Sequence, residues 1–153
     1  MQYLGLGSNI GDKRNNLLQA VALIEEQVGR VVCLSCFYET EPWGYVSANT
    51  YLNAALGVET ILSPFEVLSV TQTIERKLGR TKKSMNGVYF DRPIDIDLLL
   101  MDDVVIQTES LTLPHPLMHE RLFVMKPLVE IAPTVMHPVL GKTICQIYNE
   151  LKL

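Results

Sequence analysis

The chain has 153 residues and a mass of 17.2 kDa, the size of one ordinary globular domain. Hydrophobic residues make up 48% of it and charged residues 20%, which excludes a disordered or low-complexity protein. The aliphatic runs fall far short of the ~18 residues of a membrane span, and we expect no secretory signal. Three cysteines, an odd number in a chain that needs no disulfides, favour a reducing cytoplasm.

The charges are unevenly distributed along the chain. A net charge of −4 argues against a general nucleic-acid binder, which would carry a basic surplus. Six of the 13 basic side chains nevertheless lie between Arg76 and Arg92. This concentration is typical of a local polyanion site or of a solvated helix end, and charge alone leaves both open.

The first predicted elements alternate between strands and a helix. Gln2–Gly7 is typical of a short buried strand, and Asp12 is a good N-cap for a helix that stops at Gly29. Val31–Tyr38 is rich in β-branched and aromatic residues, which indicates a second strand. The segment Leu52–Thr60 alternates with a period of two, which indicates a third.

The second helix and the fourth strand complete a familiar order of secondary-structure elements. Ser63 and Glu66 form a capping box for a second helix that ends at Gly79, and Ile94–Met101 is the fourth strand. The order βαββαβ predicts an α+β, ferredoxin-like antiparallel sheet with helices packed on it. The remainder is predicted to hold a short strand pair and extra C-terminal helices, at Glu120–Ile131 and from Thr143. No linker or repeat interrupts the chain, so we expect a single domain over residues 1–153.

Two connections are longer than this fold requires. Glu39–Thr50 joins the second and third strands, and Arg80–Asp91 joins the second helix to the fourth strand. Long loops in a compact domain usually bind a ligand or are disordered. Both carry reactive or stacking side chains, which favours binding.

Asp95 and Asp97 begin the fourth strand. The strand period places both carboxylates on one face, while Ile94 and Ile96 enter the core. Two adjacent carboxylates repel each other unless a cation lies between them, and Mg²⁺ is typically bound by one or two carboxylates plus substrate phosphates. The alternative is an acidic solvent-exposed face. The nearby basic segment, including Arg92, favours the metal site.

Aromatic and amide side chains lie in and directly after the first long loop. Trp43 lies in this loop, and Tyr51 and Asn53 share one face of the third strand. A ring and an amide on one face can stack on and hydrogen-bond a flat heterocycle. The alternative is that the aromatic rings, Phe123 among them, cover the edge of the core.

Together these motifs resemble a known family, 6-hydroxymethyl-7,8-dihydropterin pyrophosphokinase. The resemblance runs in the right order from about Gln2 to Pro133. It rests on Gly7-Ser8-Asn9, Tyr38 to Gly44, Tyr51-Leu52-Asn53, Gly79-Arg80, Arg92-Pro93-Ile94-Asp95-Ile96-Asp97, and Leu113-Pro114-His115 with Arg121 and Phe123.

The resemblance implies an ATP-dependent transfer of a pyrophosphoryl group to the hydroxymethyl group of a reduced pterin, in folate biosynthesis. It implies that Asp95 and Asp97 hold two Mg²⁺ ions and that Arg80 and Arg92 act with them in catalysis. The residues implied to bind ATP are Gln72, Glu75, Arg80, Lys82, Arg92, His115 and Arg121. Those implied to bind the pterin are Thr40, Trp43, Tyr51, Asn53 and Phe123. The expected partners are these two small molecules only, with the chain a monomer or weak homo-oligomer.

The sequence departs from the family pattern in the second long loop. Lys82 stands where the family usually has an arginine, and a tryptophan is missing before Arg92. Lys83 and either Tyr89 or Phe90 are the candidate replacements. We expect this loop to close over ATP.

Two other function classes stay open on the residues alone. A non-catalytic module that binds a small regulatory ligand would not need paired carboxylates and arginines on one face. A two-metal phosphohydrolase would have no use for an aromatic and amide pocket.

Overall fold

The structure is a computed structural model that describes residues 1–40, 50–79 and 93–152. Most of both long connections therefore lies outside the described residues. So do seven side chains discussed above: Trp43, Arg80, Lys82, Lys83, Tyr89, Phe90 and Arg92.

The described part of the chain forms short strands and four α-helices around a central sheet. The elements up to the fourth predicted strand are β1 (Gln2–Ser8), α1 (Lys13–Gln27), β2 (Arg30–Leu34), β3 (Tyr38–Thr40), β4 (Tyr51–Glu59), α2 (Pro64–Lys77) and β5 (Asp95–Met101). The remaining elements are β6 (Ile106–Gln107), β7 (Thr112–Leu113), a 3₁₀ turn (Met118–Glu120), α3 (Leu122–Ile131), β8 (Met136–His137), β9 (Lys142–Thr143) and α4 (Ile144–Leu151).

The central sheet has the strand order β2-β4-β1-β5, every pair antiparallel, and β3 pairs with β4. This order confirms the ferredoxin-like prediction. The predicted second strand is divided in two, however. Leu34 pairs with Leu56 and Tyr38 with Asn53, so three residues on one side face two on the other, which is a bulge.

Local capping signals account for where the helices begin. Asp12 accepts a hydrogen bond from the backbone N–H of Asn15, and Ser63 and Glu66 form the predicted capping box. Gly79, with a φ of 101°, follows α2 in the left-handed conformation that favours glycine. α1 stops before Gly29 as predicted, but for a different reason. A Cβ there would lie 1.9 Å from the carbonyl oxygen of Glu59, so the glycine permits close backbone approach.

The sheet lies between two helical layers, and its faces differ. On the α1/α2 face, apolar side chains of alternate strand positions pack beneath the two helices: Leu4, Leu6, Ala54, Leu56, Val58, Ile96 and Leu98. On the α3/α4 face, a second cluster includes Tyr3, Ala55 and Leu99. No helix in the described ranges is long and apolar enough to cross a bilayer.

Candidate active site

The two predicted metal ligands lie side by side on β5. Asp95 and Asp97 are half-buried, while the intervening Ile96 is buried on the opposite face. In the antiparallel register Asp95 faces Gly7 and Asp97 faces Gly5 on β1. Because glycine has no side chain, neighbouring side chains lie over these two β1 positions, that of Leu99 at Gly5 and those of Asn53 and Tyr51 at Gly7.

A buried carboxylate holds the strand between these aspartates. Glu75 of α2 is only 3% exposed, and its Oε2 accepts a hydrogen bond of 2.8 Å from the backbone N–H of Ile96. The N–H of Ile96 lies between the two aspartates in sequence, so this contact fixes the backbone that carries both. The sequence signal for Glu75 was the resemblance alone, and its part in binding ATP stays a prediction.

His115 is attached to the same strand. Its backbone N–H donates to the carbonyl oxygen of Leu99 over 2.7 Å, and its Nδ1 accepts from the N–H of Leu117 over 3.3 Å. Since Nδ1 accepts, the neutral ring carries its proton on Nε2. Burial, with a smaller contribution from the positive charge of Arg121, lowers the pKa of His115 to about 4, against the opposing effect of Asp95. At neutral pH the ring is therefore an uncharged hydrogen-bond donor.

Arg121 links the carboxylate side of the site to an aromatic ring. It lies between the 3₁₀ turn and α3, and its guanidinium carbon is 5.8 Å from the centre of the Phe123 ring. A guanidinium is attracted to an aromatic face and is also the group best suited to bidentate binding of anions. The structure thus brings Asp95, His115, Arg121 and Phe123 into one neighbourhood. The family resemblance assigns the first three to ATP and its metal ions and Phe123 to the pterin, and these assignments stay predictions.

The predicted pterin residues of β3 and β4 also lie together. Asn53 is 5% exposed, and its Nδ2 donates a hydrogen bond of 2.6 Å to Oγ1 of Thr40. Thr40 is paired with Tyr51, so all three side chains are on the α3/α4 face. Gly7 makes this possible, since a Cβ there would lie 3.2 Å from Oδ1 of Asn53 and 3.4 Å from Cδ1 of Tyr51.

Sequence analysis missed a polar cluster at the ends of the first long loop. Nζ of Lys13 donates to the carbonyl oxygen and Oγ1 of Thr50, over 3.3 and 3.2 Å, and lies 3.6 Å from Oε1 of Glu39. The cluster joins the start of α1 to the residues on either side of the loop. Lys13, Glu39 and Thr50 are separated in sequence, and no local pattern connects them.

Gln72 is the remaining predicted residue that the structure describes. It is half-buried on α2, three residues before Glu75 and in the same helical layer, and its part in binding ATP stays a prediction. Among residues 1–40, 50–79 and 93–152, no three His, Cys, Asp or Glu side chains are arranged to hold a metal ion. The donor set at β5 is therefore the aspartate pair, which suits a hard cation that also binds substrate phosphates.

A family model and curated relatives all match this chain to the same family of pyrophosphokinases. The family model described as 7,8-dihydro-6-hydroxymethylpterin-pyrophosphokinase (HPPK) matches residues 3–133. A 2-amino-4-hydroxy-6-hydroxymethyldihydropteridine pyrophosphokinase of Porphyromonas gingivalis is 50% identical over 137 residues, covering 89% of this chain and 92% of the relative. The Bacillus subtilis protein of the same name is 47% identical over 134 residues, covering 87% and 78%.

Solved structures show the same fold. A Plasmodium falciparum HPPK-DHPS triple mutant, crystallised with STZ-DHP, superposes with a TM-score of 0.80 at 18% identity. The match covers 97% of this chain and 42% of that one. The family match spans most of the chain and the P. gingivalis relative is matched over most of its length. The chain therefore belongs to the 7,8-dihydro-6-hydroxymethylpterin-pyrophosphokinase family.

Proposed function

We propose that the Asp95 side of the α3/α4 face binds the triphosphate of ATP with two Mg²⁺ ions, and that the Asn53 side binds the pterin. The chain is an ATP-dependent pyrophosphokinase of folate biosynthesis, which transfers the pyrophosphoryl group of ATP to 6-hydroxymethyl-7,8-dihydropterin.

One observation carries the assignment of the two subsites. Asp95, Gly7 and Asn53 are paired neighbours in a single row across β5, β1 and β4. Adjacent strands are about 4.8 Å apart, so the backbones of Asp95 and Asn53 are separated by roughly 10 Å. A pterin ring held at Asn53 can therefore extend its hydroxymethyl group over Gly7 toward phosphates held at Asp95.

The phosphate side offers complementary groups. Arg121 would bind phosphate oxygens through two parallel N–H donors, and the neutral ring of His115 would donate its Nε2 proton to one of them. The family resemblance implies the same role for Arg80, Lys82 and Arg92. Phosphoryl transfer asks a protein mainly for positioning and for neutralisation of charge, which these cations supply.

The aspartate pair fits magnesium. Asp95 and Asp97 present hard oxygen donors from one strand, and the residues paired with them, Gly7 and Gly5, place no side chain of their own beside the carboxylates. Bound Mg²⁺ would supply neutralisation of charge on the phosphate oxygens and on the attacking hydroxyl. Glu75, by holding the N–H of Ile96, keeps both carboxylates on this face.

The side chains on the pterin side are suited to binding a flat polar ring. Tyr51 and Phe123 supply aromatic faces, and the amide of Asn53 supplies hydrogen bonds to the polar edge of the ring. Asn53 is buried and its Nδ2 is held by Thr40, so the amide is oriented before a ligand arrives. Pre-orientation lowers the cost of binding and favours a ligand with the matching edge.

We further propose that the chain acts in the cytoplasm as a single domain over residues 1–153, alone or as a weak homo-oligomer, and without nucleic acid. Both helical layers pack on one sheet, which supports a single domain. Cys33, Cys36 and Cys145 are free thiols, which supports a reducing compartment.

The experiment that tests the function measures AMP formation from ATP with and without hydroxymethyldihydropterin. We expect AMP only when the pterin is present. AMP or phosphate release without pterin would indicate a hydrolase, and no reaction in either case would indicate a binding module. The subsites are tested by Asn53→Ala, which should weaken pterin binding far more than binding of an ATP analogue. Equal weakening of both ligands would contradict the assignment.

A further inference from the structure

A contact between α3 and the start of β3 lies next to the proposed pterin-binding residues. None of its side chains is assigned to either ligand. Glu130, in the last turn of α3, accepts a hydrogen bond from the hydroxyl of Tyr38 through Oε1. Its Oε2 accepts a second one, of 2.9 Å, from the backbone N–H of Cys36. One carboxylate therefore holds two positions of the segment that leads into β3.

A third group completes this contact, which we call the Tyr38 clasp (Tyr38, Glu130, Lys126 and the N–H of Cys36). Nζ of Lys126, one turn before Glu130 on α3, lies 5.1 Å from the centre of the Tyr38 ring. The hydrogen bond to Glu130 raises the pKa of Tyr38 to about 12, and the same bond lowers the pKa of Glu130. At neutral pH the clasp is thus a neutral hydroxyl donating to a charged carboxylate, which is the stronger kind of hydrogen bond.

The two elements joined by the clasp are those that carry the pterin residues. Tyr38 is paired with Asn53 across β3 and β4, and Thr40, two residues further along β3, accepts the hydrogen bond from Asn53. α3 carries Phe123 in its first turn, seven residues before Glu130 and so on nearly the same side of the helix. The separation between the Phe123 ring and the Asn53 amide therefore depends on how α3 is attached to β3.

We propose that Tyr38 and Glu130 are positioning residues that set the spacing of the pterin slot by fastening α3 to β3. The inference rests on the proposed function, because it requires the pterin to lie between Phe123 and Asn53. β3 has only three residues and pairs only with β4 among the described strands, and the clasp adds a contact between β3 and α3.

The test compares ligand affinities of Tyr38→Phe, Glu130→Ala and the conservative Glu130→Gln. Tyr38→Phe removes one hydroxyl and keeps the ring beneath Lys126. We expect Tyr38→Phe and Glu130→Ala to weaken hydroxymethyldihydropterin binding by about tenfold, as the loss of one charged hydrogen bond implies. Binding of a non-hydrolysable ATP analogue should change by less than about twofold. Glu130→Gln keeps one acceptor and should restore part of the pterin affinity.

Tyr148→Phe is the matched control. Tyr148 also lies beneath a lysine, with Nζ of Lys152 5.2 Å from its ring centre, but its hydroxyl has no hydrogen-bond partner in the described ranges. It should bind the pterin as the wild type does. The double variant Tyr38→Phe/Glu130→Ala should be no weaker than Glu130→Ala, since both changes remove the same bond.

The outcomes separate the inference from the proposed function. If Asn53→Ala weakens pterin binding but Tyr38→Phe does not, the inference is overturned and the proposed subsite stands. A lowered Tm in Tyr38→Phe with unchanged pterin affinity also overturns it, since the clasp would then serve stability alone. Equal loss of both ligands overturns it as well. A wild-type protein that bound no pterin would overturn the proposed function and this inference with it.

Discussion

The two faces of the sheet use the same strands for different purposes. β1 alternates leucine and glycine at residues 4–7, so Leu4 and Leu6 fill the core beneath α1 and α2. Gly5 and Gly7, which are paired with the aspartates of β5, are covered on the α3/α4 face by the side chains of Leu99, Asn53 and Tyr51. A strand's period of two lets one face carry apolar side chains, while the other carries a second apolar cluster together with the polar groups of the site. The polar groups of the site are thereby confined to one face.

Substitution of either aspartate on the α3/α4 face of β5 is therefore expected to remove activity without unfolding the protein. Asp97→Asn keeps the shape of the side chain and removes a charged metal ligand. We expect turnover to fall by roughly 1,000-fold, the upper range for losing one preorganised electrostatic contact. Steady-state AMP formation measures this, with thermal unfolding as the check on the fold.

Asp103→Asn is the matched control, because Asp103 is exposed and follows the end of β5. It should retain full turnover. Near-normal turnover in both Asp95→Asn and Asp97→Asn would show that the aspartate pair is not the metal site.

The opposite result is expected on the α1/α2 face. Leu56 is fully buried on β4, and Leu56→Ala removes its contacts and leaves a cavity. We expect the free energy of unfolding to fall by about 3 kcal/mol, while kcat/KM per folded molecule is unchanged. Urea denaturation and active-site titration measure the two quantities. Leu18→Ala, at a 44% exposed position on α1, is the control and should cost much less stability.

The two glycines of β1 give a finer test of the same distinction. In Gly7→Ala the new Cβ meets Oδ1 of Asn53 and Cδ1 of Tyr51 at 3.2 and 3.4 Å, closer than side chains usually pack. We expect roughly tenfold weaker pterin binding, because a small displacement of a positioned polar group is costly. In Gly5→Ala the nearest atom is Cδ2 of Leu99 at 3.5 Å, an ordinary contact, so pterin affinity should be retained. Equal effects of both substitutions would contradict the role given to Gly7.

The smallest expected effect, counted per pH unit, is a dependence of stability on pH. Burial lowers the pKa of His115 from its ordinary value of 6.5 to about 4, so between these values the unfolded chain binds more protons than the folded one. The free energy of unfolding should therefore fall as the pH drops from about 6.5 to 4, by up to about 1.4 kcal/mol per pH unit from this residue.

Urea denaturation between about pH 7 and pH 5 measures this slope, and His115→Gln should reduce it. The pKa of buried His137 is also lowered, so part of the slope will remain. His137→Gln is accordingly the matched variant. An unchanged slope in His115→Gln would show that His115 is not the group responsible.

Residue spacing along the sequence was enough to predict much of the framework. Period-two alternation placed Asp95 and Asp97 on one face and Tyr51 with Asn53 on one face, and the capping residues Asp12 and Ser63 marked where helices begin. Each of these signals acts within a few residues, since strand alternation and helix capping depend on neighbours in the chain.

Only the tertiary structure determined which distant residues meet. Glu130 contacts Tyr38 across 92 positions, and Glu75 contacts Ile96 across 21. No sequence pattern near Glu130 on α3 or near Tyr38 on β3 indicates that the two residues are in contact. Strand register and helix docking bring them together, and both arise from burial of the two cores on opposite faces of one sheet. The sequence by itself therefore determined the elements and the faces of their side chains, while packing decided the distances between them.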